Sequence, residues 1–240
     1  MTQPINFVTA WVGKEFDIKY VINLYNSIRR NLSPYNDFRF TVITDKPQQI
    51  IECPYIKATT LYAEPNIYPG WWSKMLFFNP FFTKAIFFDL DTVITGNIDA
   101  LERGFYGDAH FAILRNFLQP PIRNPSIKDP CKFGSAVMWK SPYSRLYNII
   151  GDMYWKDHQA IRSMYDKNGG DQKFIESIVD QYDLPFRYIQ DLVTPDNYFR
   201  SVKYPENLVD VPFGSRVICY HGRPRPHEDM GNKIISDHWK

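Results

Sequence analysis

The stretch Ala85–Thr95, which reads AIFFDLDTVIT, constrains the fold more than any other part of the chain. Its apolar residues run without alternation into Asp89, Leu90 and Asp91, and such a run is typical of a strand buried on both faces inside an α/β sheet. Alternate residues of an extended strand share a face, so Asp89 and Asp91 are predicted to point the same way. The sequence therefore predicts a central strand that ends in two carboxylates, at the edge where open α/β sheets bind ligands.

Two carboxylates this close repel each other, and a hard divalent cation such as Mg²⁺ or Mn²⁺, which takes oxygen ligands, would relieve the repulsion. His221 follows the apolar strand Arg216–Tyr220 as directly as Asp89 follows its own strand. Neutral imidazole is a nitrogen ligand for the same ions. A solvated aspartate pair and a hydrogen-bonded structural histidine are the alternative interpretations. The sharper hypothesis is one divalent site made of Asp89, Asp91 and His221.

Two arginines lie just beyond His221 in a segment stiffened by proline. Arg223 and Arg225 alternate with Pro224 and Pro226, so their guanidinium groups sit on a loop with little freedom. Planar guanidinium groups suit phosphate oxygens because they donate two hydrogen bonds side by side. A solvated basic segment is the alternative. The combination with a carboxylate pair and a histidine indicates a site for a metal-bound diphosphate.

Three further polar residues are candidates for contact with a sugar or a reacting carbon. Asp171 and Gln172 open a predicted helix after two glycines, where Asp171 is equally well interpreted as a helix N-cap. Lys74 could reach a phosphate or the acidic pair, unless it is simply an exposed lysine. Trp71 and Trp72 cannot both face the core of one helix, and packing is the commoner role for each.

The order of the predicted elements indicates the fold class. A strand at Ile5–Val12, a helix at Asp17–Leu32 capped by Asp17, and a strand at Phe38–Thr44 form a strand–helix–strand unit, typical of a Rossmann-like α/β sheet. The later elements alternate similarly: a short helix and a third strand within 48–60, helices at Trp71–Phe78, Pro142–Trp155 and 169–179, and strands at His110–Leu114, Phe133–Trp139, Phe186–Ile189 and Arg216–Tyr220. The proline-rich loop Asn116–Pro130 is predicted to be a lid or an acceptor wall.

Size and charge limit the organisation of the chain and its partners. Residues 1–240 are predicted to form a single domain with one core. The formal net charge of +2 argues against a nucleic-acid partner. No apolar run reaches the roughly 20 residues of a transmembrane segment, and Met1–Trp11 lacks the pattern of a secretory signal. Cys53, Cys131 and Cys219 are typical of reduced thiols and favour a cytoplasmic protein, for which a homo-oligomer stays open.

These motifs, in this order, resemble the GT-A nucleotide-diphospho-sugar glycosyltransferases, particularly the family 8-like enzymes, over most of the chain. The shared features are Thr9-Ala10-Trp11, Ile43-Thr44-Asp45, Ser73-Lys74 before FFDLDTVITGNID, the run FGSAVMW, Gly170-Asp171-Gln172, and His221-Gly222 with the basic-Pro pair. The resemblance is closer still to a group of bacterial proteins with WWxKxxxF, DLD, GDQ, HGRPxPHE and a terminal His-Trp, here His238-Trp239. It implies a three-layer α/β/α GT-A domain with a mostly parallel mixed sheet, and a hexosyltransferase type of activity.

The resemblance also implies roles for individual residues. Asp89, Asp91 and His221 would hold Mn²⁺ or Mg²⁺ against the diphosphate of a donor, preferably a UDP-sugar, and Arg225 stands where the family has a phosphate-binding lysine. The other residues implied in the nucleotide and diphosphate pocket are Thr9, Ala10, Trp11, Asp45, Leu90, Gly222 and Arg223. The residues implied on the donor sugar, and so in catalysis, are Lys74, Asp171 and Gln172.

The family 8-like character implies transfer with retention at the anomeric carbon. For inversion, Asp171 is the candidate general base, which must reach the acceptor hydroxyl. The acceptor itself, whether a glycan, a lipid-linked molecule or a protein, is left open. Gly134 and Ala136 stand where the family usually has Asn and Gly, and Arg225-Pro226-His227 replaces its Lys-Pro-Trp.

Two other functions are alternatives. FFDLDTV also fits the signature of haloacid dehalogenase-like phosphatases, in which Asp89 would be the nucleophile and Asp91 an acid/base. That signature normally opens its domain, whereas several elements precede it here. The second alternative is a non-catalytic protein that binds sugar nucleotides or glycans on the same fold, because a fold does not fix a function.

Overall fold

The computed structural model describes residues 4–34, 36–103, 110–117, 131–193, 198–202 and 214–240. Its strands, in chain order, are β1 (Ile5–Trp11), β2 (Phe38–Thr44), β3 (Thr59–Tyr62), β4 (Ala85–Phe88), β5 (Thr92–Ile94), β6 (Phe111–Arg115), β7 (Phe133–Lys140), β8 (Arg187–Tyr188), β9 (Phe199–Val202) and β10 (Val217–Tyr220). The α-helices are α1 (Ile18–Asn31), α2 (Pro47–Ile51), α3 (Ala100–Arg103), α4 (Asn148–Tyr165), α5 (Gly170–Gln181) and α6 (Lys233–His238). Short 3₁₀ helices lie at Gly70–Phe78, Arg145–Tyr147, Ile189–Asp191 and Pro226–Glu228.

The described strands form a mixed central sheet in the order β3-β2-β1-β4-β7-β6-β8. The strands from β3 to β4 are mutually parallel, β7 is antiparallel to both of its neighbours, and β8 is parallel to β6. Every strand of this sheet except β7 therefore runs in one direction. The predicted α/β class with a mostly parallel mixed central sheet is confirmed.

A smaller sheet, in the order β5-β10-β9, lies beside the central one, and the sequence predicts neither β5 nor β9 as a separate strand. β4 ends at Phe88, and the Thr92 N–H donates to the Asp89 carbonyl oxygen at 3.1 Å. Asp89, Leu90 and Asp91 therefore form a turn between the two sheets. The prediction that the strand stays extended through the acidic pair is wrong, because the chain leaves β7 at this point and pairs with β10 instead.

The two faces of the central sheet are covered by different layers, as β4 illustrates. Ile86 and Phe88 belong to a core that includes α1, β5 and β10. Phe87, which points the other way, belongs to a core that includes the 3₁₀ helix Gly70–Phe78, α4 and α5. All these positions of β4 are buried, which explains why the strand is apolar without alternation. The sheet therefore holds the residues that follow Phe88, beginning with Asp89, at a protected edge.

The helices differ from the predictions in extent more than in place. Asp17 caps α1 as predicted, since its carboxylate accepts a hydrogen bond from a backbone N–H of the first turn at 2.8 Å. The predicted helix at Trp71–Phe78 is a 3₁₀ helix. The helix predicted at Pro142–Trp155 is α4, which begins later because the Ser144 N–H closes a turn onto the Ser141 carbonyl oxygen at 3.1 Å. The C-terminal helix α6 is not predicted.

Three further predictions meet the structure only in part. Most of the predicted lid, Asn116–Pro130, lies outside the described residues. Cys53, Cys131 and Cys219 are free thiols. None of the helices in the described ranges is both long and apolar enough to cross a membrane. The single domain over residues 1–240 stays a prediction.

Candidate functional site

A cleft of about 520 Å³ opens at the carboxyl ends of β1, β4 and β10, where the two sheets meet, and we call it the main cleft. This volume is typical of small-molecule sites, which occupy roughly 300–1,000 Å³. The predicted site residues that line it are Ala10, Lys74, Asp89, Leu90, Asp91, Gln172, His221, Gly222 and Arg225. The other lining residues are Val12, Glu15, Phe16, Gly70, Trp71, Ser73, Asn116, Gly134 and Tyr220. Sequence positions far apart in the chain thus meet at the ligand-binding edge of the sheet.

Lys74 is a buried cation at one wall of the main cleft. Its Nζ lies 2.9 Å from Asp89 Oδ2 and 3.6 Å from Asp171 Oδ2, and it donates to Ser135 Oγ at 3.0 Å. Burial disfavours the ammonium form, but the charges of Asp171 and Asp89 outweigh that effect and raise the pKa of Lys74. The interpretation of Lys74 as an exposed lysine is wrong, since only 8% of the residue is accessible.

Asp171 lies behind this lysine rather than at the surface. The N-cap of α5 is Gly169, with φ of 81°, so the interpretation of Asp171 as the cap is wrong. Its carboxylate accepts a hydrogen bond from Ser135 Oγ at 2.5 Å, and the positive end of the helix dipole favours a negative charge at this position. Gln172, the next residue, lines the main cleft. Gly170 lets this helix start pack under Trp71, whose Nε1 would lie 3.3 Å from an added Cβ.

Asp91 occupies the opposite side of the acidic turn. The Arg225 guanidinium pairs with Asp91 and with Glu15, and it lies over the Phe16 ring at 4.7 Å from the centroid. Burial, together with repulsion from Asp89, raises the pKa of Asp91 to about 7, although the arginine acts in the other direction. Burial likewise raises the pKa of Asp89 against the effect of its lysine partner. Both carboxylates are therefore under-compensated in this conformation.

His221 lines the main cleft directly after β10. Its backbone N–H donates to the Val202 carbonyl oxygen at 2.9 Å, and its ring lies 5.9 Å from that of Phe117. The part of the chain that the structure describes contains no group of three or more His, Cys, Asp or Glu side chains close enough to hold a metal. The donor chemistry still fits a hard divalent cation, because under-compensated carboxylates and a histidine line the same cleft.

Besides Asp171, four predicted site residues do not line the main cleft. Thr9 and Trp11 are buried in β1, and the Trp11 Nε1 donates to the Phe16 carbonyl oxygen at 2.9 Å. Asp45 accepts a hydrogen bond from the Gly13 N–H at 3.2 Å. Trp11 and Asp45 therefore support the segment 12–16 that forms one wall of the cleft. Arg223 is exposed and pairs with Glu228 instead.

The sequence analysis missed several residues that shape the site. Ser135 accepts a hydrogen bond from Lys74 and donates one to Asp171. The sequence feature that could have indicated this role is a single hydroxyl inside an otherwise apolar buried run. Glu15 binds the arginine that holds Asp91, and nothing in its local sequence indicates this role. Trp71 is half exposed at the cleft, whereas Trp72 is buried, so the two tryptophans do face opposite sides.

No protein-family model matches the chain. No curated protein sequence matches it either. Solved structures do share its fold, and all three described below are glycosyltransferases by their names.

A crystal structure of the galactosyltransferase LgtC with donor and acceptor sugar analogues has a TM-score of 0.61 at 11% identity, covering 98% of this chain and 96% of that one. The apo form of the glycosyltransferase GlyE of Streptococcus pneumoniae TIGR4 has a TM-score of 0.56 at 13% identity, covering 93% of this chain and 56% of that one. Mouse xyloside xylosyltransferase 1 in its apo form has a TM-score of 0.52 at 14% identity, covering 92% of this chain and 98% of that one.

Identities this low establish the fold alone. The chain has the fold of the GT-A glycosyltransferases, as the sequence resemblance implied. A haloacid dehalogenase-like phosphatase is not favoured by these similarities.

Proposed function

We propose that the protein is a glycosyltransferase that moves a sugar from a nucleoside diphosphate sugar, preferably a UDP-sugar, to an acceptor. The main cleft carries this proposal. Two under-compensated carboxylates and two buried or half-buried cations converge there, at the ligand-binding edge of a sheet with the fold of known glycosyltransferases. Such a site suits a diphosphate, whose charge must be balanced when it departs.

Arg225 is the proposed anchor of that diphosphate. Its guanidinium is held by Glu15 and Phe16 as well as by Asp91, so it stays in place when a phosphate takes over one of these contacts. A preorganised cation stabilises negative charge as it develops on the leaving group, without costly reorganisation. Arg223 lies outside the cleft and adds only a more distant positive charge.

Lys74 is proposed to contribute a second fixed positive charge, on the sugar side. Asp89 and Asp171 keep it protonated, and Ser135 fixes the position of its ammonium group. Its geometry is therefore set before the donor arrives. Gln172 and Trp71 line the same wall and are the proposed contacts of the donor sugar.

Asp89, Asp91 and His221 are proposed to hold the divalent cation, Mn²⁺ or Mg²⁺. Such an ion would act as a Lewis acid that neutralises charge on the diphosphate. Carboxylates outnumber cations around the cleft, so an anionic donor alone would meet net repulsion there. This imbalance supports a metal-dependent donor site.

Retention at the anomeric carbon is the proposed stereochemical course. A general base for inversion must reach the acceptor hydroxyl. Asp171 is only 6% exposed, does not line the main cleft and is already bonded to Ser135. Its placement supports a role in positioning Lys74. The nucleotide is proposed to lie against Ala10, with Thr9, Trp11 and Asp45 behind that wall.

The test is thermal stabilisation by UDP-, GDP-, CDP- and dTDP-sugars, with and without Mn²⁺, followed by donor hydrolysis. A ligand that binds only the native state stabilises it by about 2.7 kcal/mol at one hundred times its Kd. We expect a Mn²⁺-dependent shift with UDP-sugars, and a loss of hydrolysis of at least about 100-fold, a barrier change of about 2.7 kcal/mol, in Asp91→Asn and Asp89→Asn. Asp237→Asn, at an exposed aspartate of α6, is the matched control.

Three outcomes would contradict parts of the proposal. The absence of a shift with every nucleotide sugar would remove the donor site. A shift without hydrolysis or transfer would favour a non-catalytic binding protein. Full activity in both aspartate variants would remove the metal site from the account.

A further inference from the structure

A second cleft, of about 490 Å³, lies on the other side of the 3₁₀ helix Gly70–Phe78. Gly70, Trp71 and Lys74 of this helix line the main cleft, whereas Met75, Leu76 and Phe78 line the second one. The remaining walls come from β3, from the segment 64–68, from 79–80 and from α4. We call it the aromatic cleft, and none of its lining residues belongs to the main cleft.

Aromatic rings dominate the accessible wall of this cleft. Trp155 and Tyr62 are each 56% exposed and present their rings to this wall. Trp155 stacks on the buried Tyr68 with the ring centroids 6.3 Å apart and the planes at 19°. Tyr68 packs in turn against Tyr154, so the tryptophan is held as a flat platform on a rigid support.

Polar groups surround the platform. The carboxylate of Asp152, one helical turn before Trp155 on α4, makes no hydrogen bond to any residue in the described ranges. Glu64 also lines the cleft and accepts hydrogen bonds from the Tyr62 hydroxyl at 3.3 Å and from Asn66 Nδ2 at 3.1 Å. Asn79 adds an amide side chain at the rim. The cleft thus combines flat apolar faces with a few fixed hydrogen-bonding groups, as ligand sites do.

We propose that the aromatic cleft is a saccharide-binding site, separate from the site of transfer, with Trp155 as its stacking platform and Asp152 as its hydrogen-bonding anchor. A sugar ring presents an apolar C–H face that covers an aromatic ring and a rim of hydroxyls that donate to carboxylates. The occupant is a neutral oligosaccharide. This site goes beyond the proposed transfer reaction and stands whether or not a nucleotide sugar binds in the main cleft.

Charge and hydrogen bonding decide between this occupant and two others. Glu64 and Asp152 repel phosphates, so nucleotides and nucleic acids do not fit. A quaternary ammonium would fit aromatic faces with carboxylates in general. Here, however, Glu64 already accepts hydrogen bonds from the Tyr62 hydroxyl and from Asn66 Nδ2, whereas the Asp152 carboxylate accepts none within the described ranges. A quaternary ammonium has no N–H or O–H to donate to that carboxylate, whereas a sugar hydroxyl has, and this favours a neutral, hydroxyl-rich ligand.

Saturation-transfer NMR with hexamers of glucose in α- and β-linkage, of N-acetylglucosamine and of galactose tests the proposal. We expect at least one hexamer to bind, with its Kd raised at least tenfold by Trp155→Ala and at least threefold by Asp152→Asn. Trp71→Ala is the matched control, since Trp71 is a tryptophan of the main cleft with a similar exposure, 50% against 56%. Its Kd for the hexamer should stay within twofold of wild type, and Trp155→Ala should retain the wild-type thermal response to nucleotide sugars.

The opposite results would overturn the proposal. They are the absence of binding by every hexamer, and binding that depends on Trp71 and not on Trp155. Trp155-dependent binding of tetramethylammonium in place of the hexamers would assign the cleft to a cationic ligand instead. Because Asp152→Asn preserves shape at an exposed position, it tests the site even if the tryptophan variant fails to fold.

Discussion

Two buried lysines lie at opposite ends of the β4–β7 strand pair, and they differ in almost everything except burial. Lys74 contacts Asp89, just past the end of β4, and Ser135 near the start of β7. Lys140 ends β7, opposite the first residue of β4. They are 8% and 2% exposed, so both ammonium groups are largely removed from water.

The partners of the two lysines explain their opposite behaviour. Lys74 faces the carboxylates Asp89 and Asp171, which raise its pKa despite its burial. Within the described ranges, Lys140 donates only to neutral oxygens, namely the Phe78 and Asn79 carbonyl oxygens at 3.2 and 3.1 Å and Asn148 Oδ1 at 2.8 Å.

Burial therefore lowers the pKa of Lys140 to about 7. One lysine keeps its charge at the wall of the main cleft, and the other links the 3₁₀ helix to α4.

We expect the largest effect on stability and on activity when the charge of Lys74 is removed. Lys74→Met leaves the buried Asp171 and the partly buried Asp89 without this counter-charge, and breaking a buried ion pair in this way costs about 3–5 kcal/mol. We expect the free energy of unfolding in urea to fall by that amount, and donor hydrolysis to be lost.

The double variant Lys74→Met, Asp89→Asn supplies the control for this prediction. Part of the lost stability should return, because one uncompensated carboxylate is removed with the lysine. A loss below about 1 kcal/mol in the single variant would mean that the pair is effectively solvated, and the contrast between the two lysines would disappear.

We expect Lys140 to make the free energy of unfolding depend on pH. Its folded pKa lies below its unfolded one, so between pH 7 and about 10 the unfolded chain binds more protons at this residue. The free energy of unfolding therefore rises with pH in that window and is independent of this group below it. Relative to Lys140→Met, wild type should gain about 2 kcal/mol between pH 7 and pH 9.

Urea unfolding of wild type and Lys140→Met at pH 6, 7, 8 and 9 measures this difference. Lys233→Met, at an exposed lysine of α6, is the matched control for the loss of one lysine. A constant difference between wild type and Lys140→Met across the series would show that the neutral oxygens hold a fully charged ammonium.

The contrast between the two lysines also indicates which features of the fold and of the candidate site could be predicted from the sequence. Apolar runs and helical periodicity predicted β1, α1, β2 and the strand before the acidic pair, because those patterns depend on neighbours in the chain. The motif DLD predicted a ligand-binding edge but not the turn, since the partner of β5 is 120 residues or more away. Arg225 reaches Asp91 across 134 positions, and no local pattern contains that contact.

Lysines 74 and 140 make the same point about electrostatics. Both lysines have apolar neighbours in the sequence. The sequence alone indicates a role only for Lys74, as a candidate contact of phosphate or the acidic pair. What separates them is Ser135 and Asp171 on one side and two backbone carbonyls with Asn148 on the other. These partners come from different elements, so the pKa values follow from tertiary contacts and not from composition.

The smallest expected effect concerns Asp152, a carboxylate whose charge acts on Lys140. Asp152 raises the pKa of this lysine without a direct ion pair, so Asp152→Asn should lower that pKa and destabilise the protein only where Lys140 is charged. We expect a loss of less than about 1 kcal/mol at pH 6 that shrinks as the pH approaches 9. Glu64→Gln, at another carboxylate of the aromatic cleft, is the control and should show no such trend. An equal loss at pH 6 and pH 9 would instead assign the effect of Asp152 to its place in α4, because an effect of helix position does not depend on the charge of a neighbouring lysine.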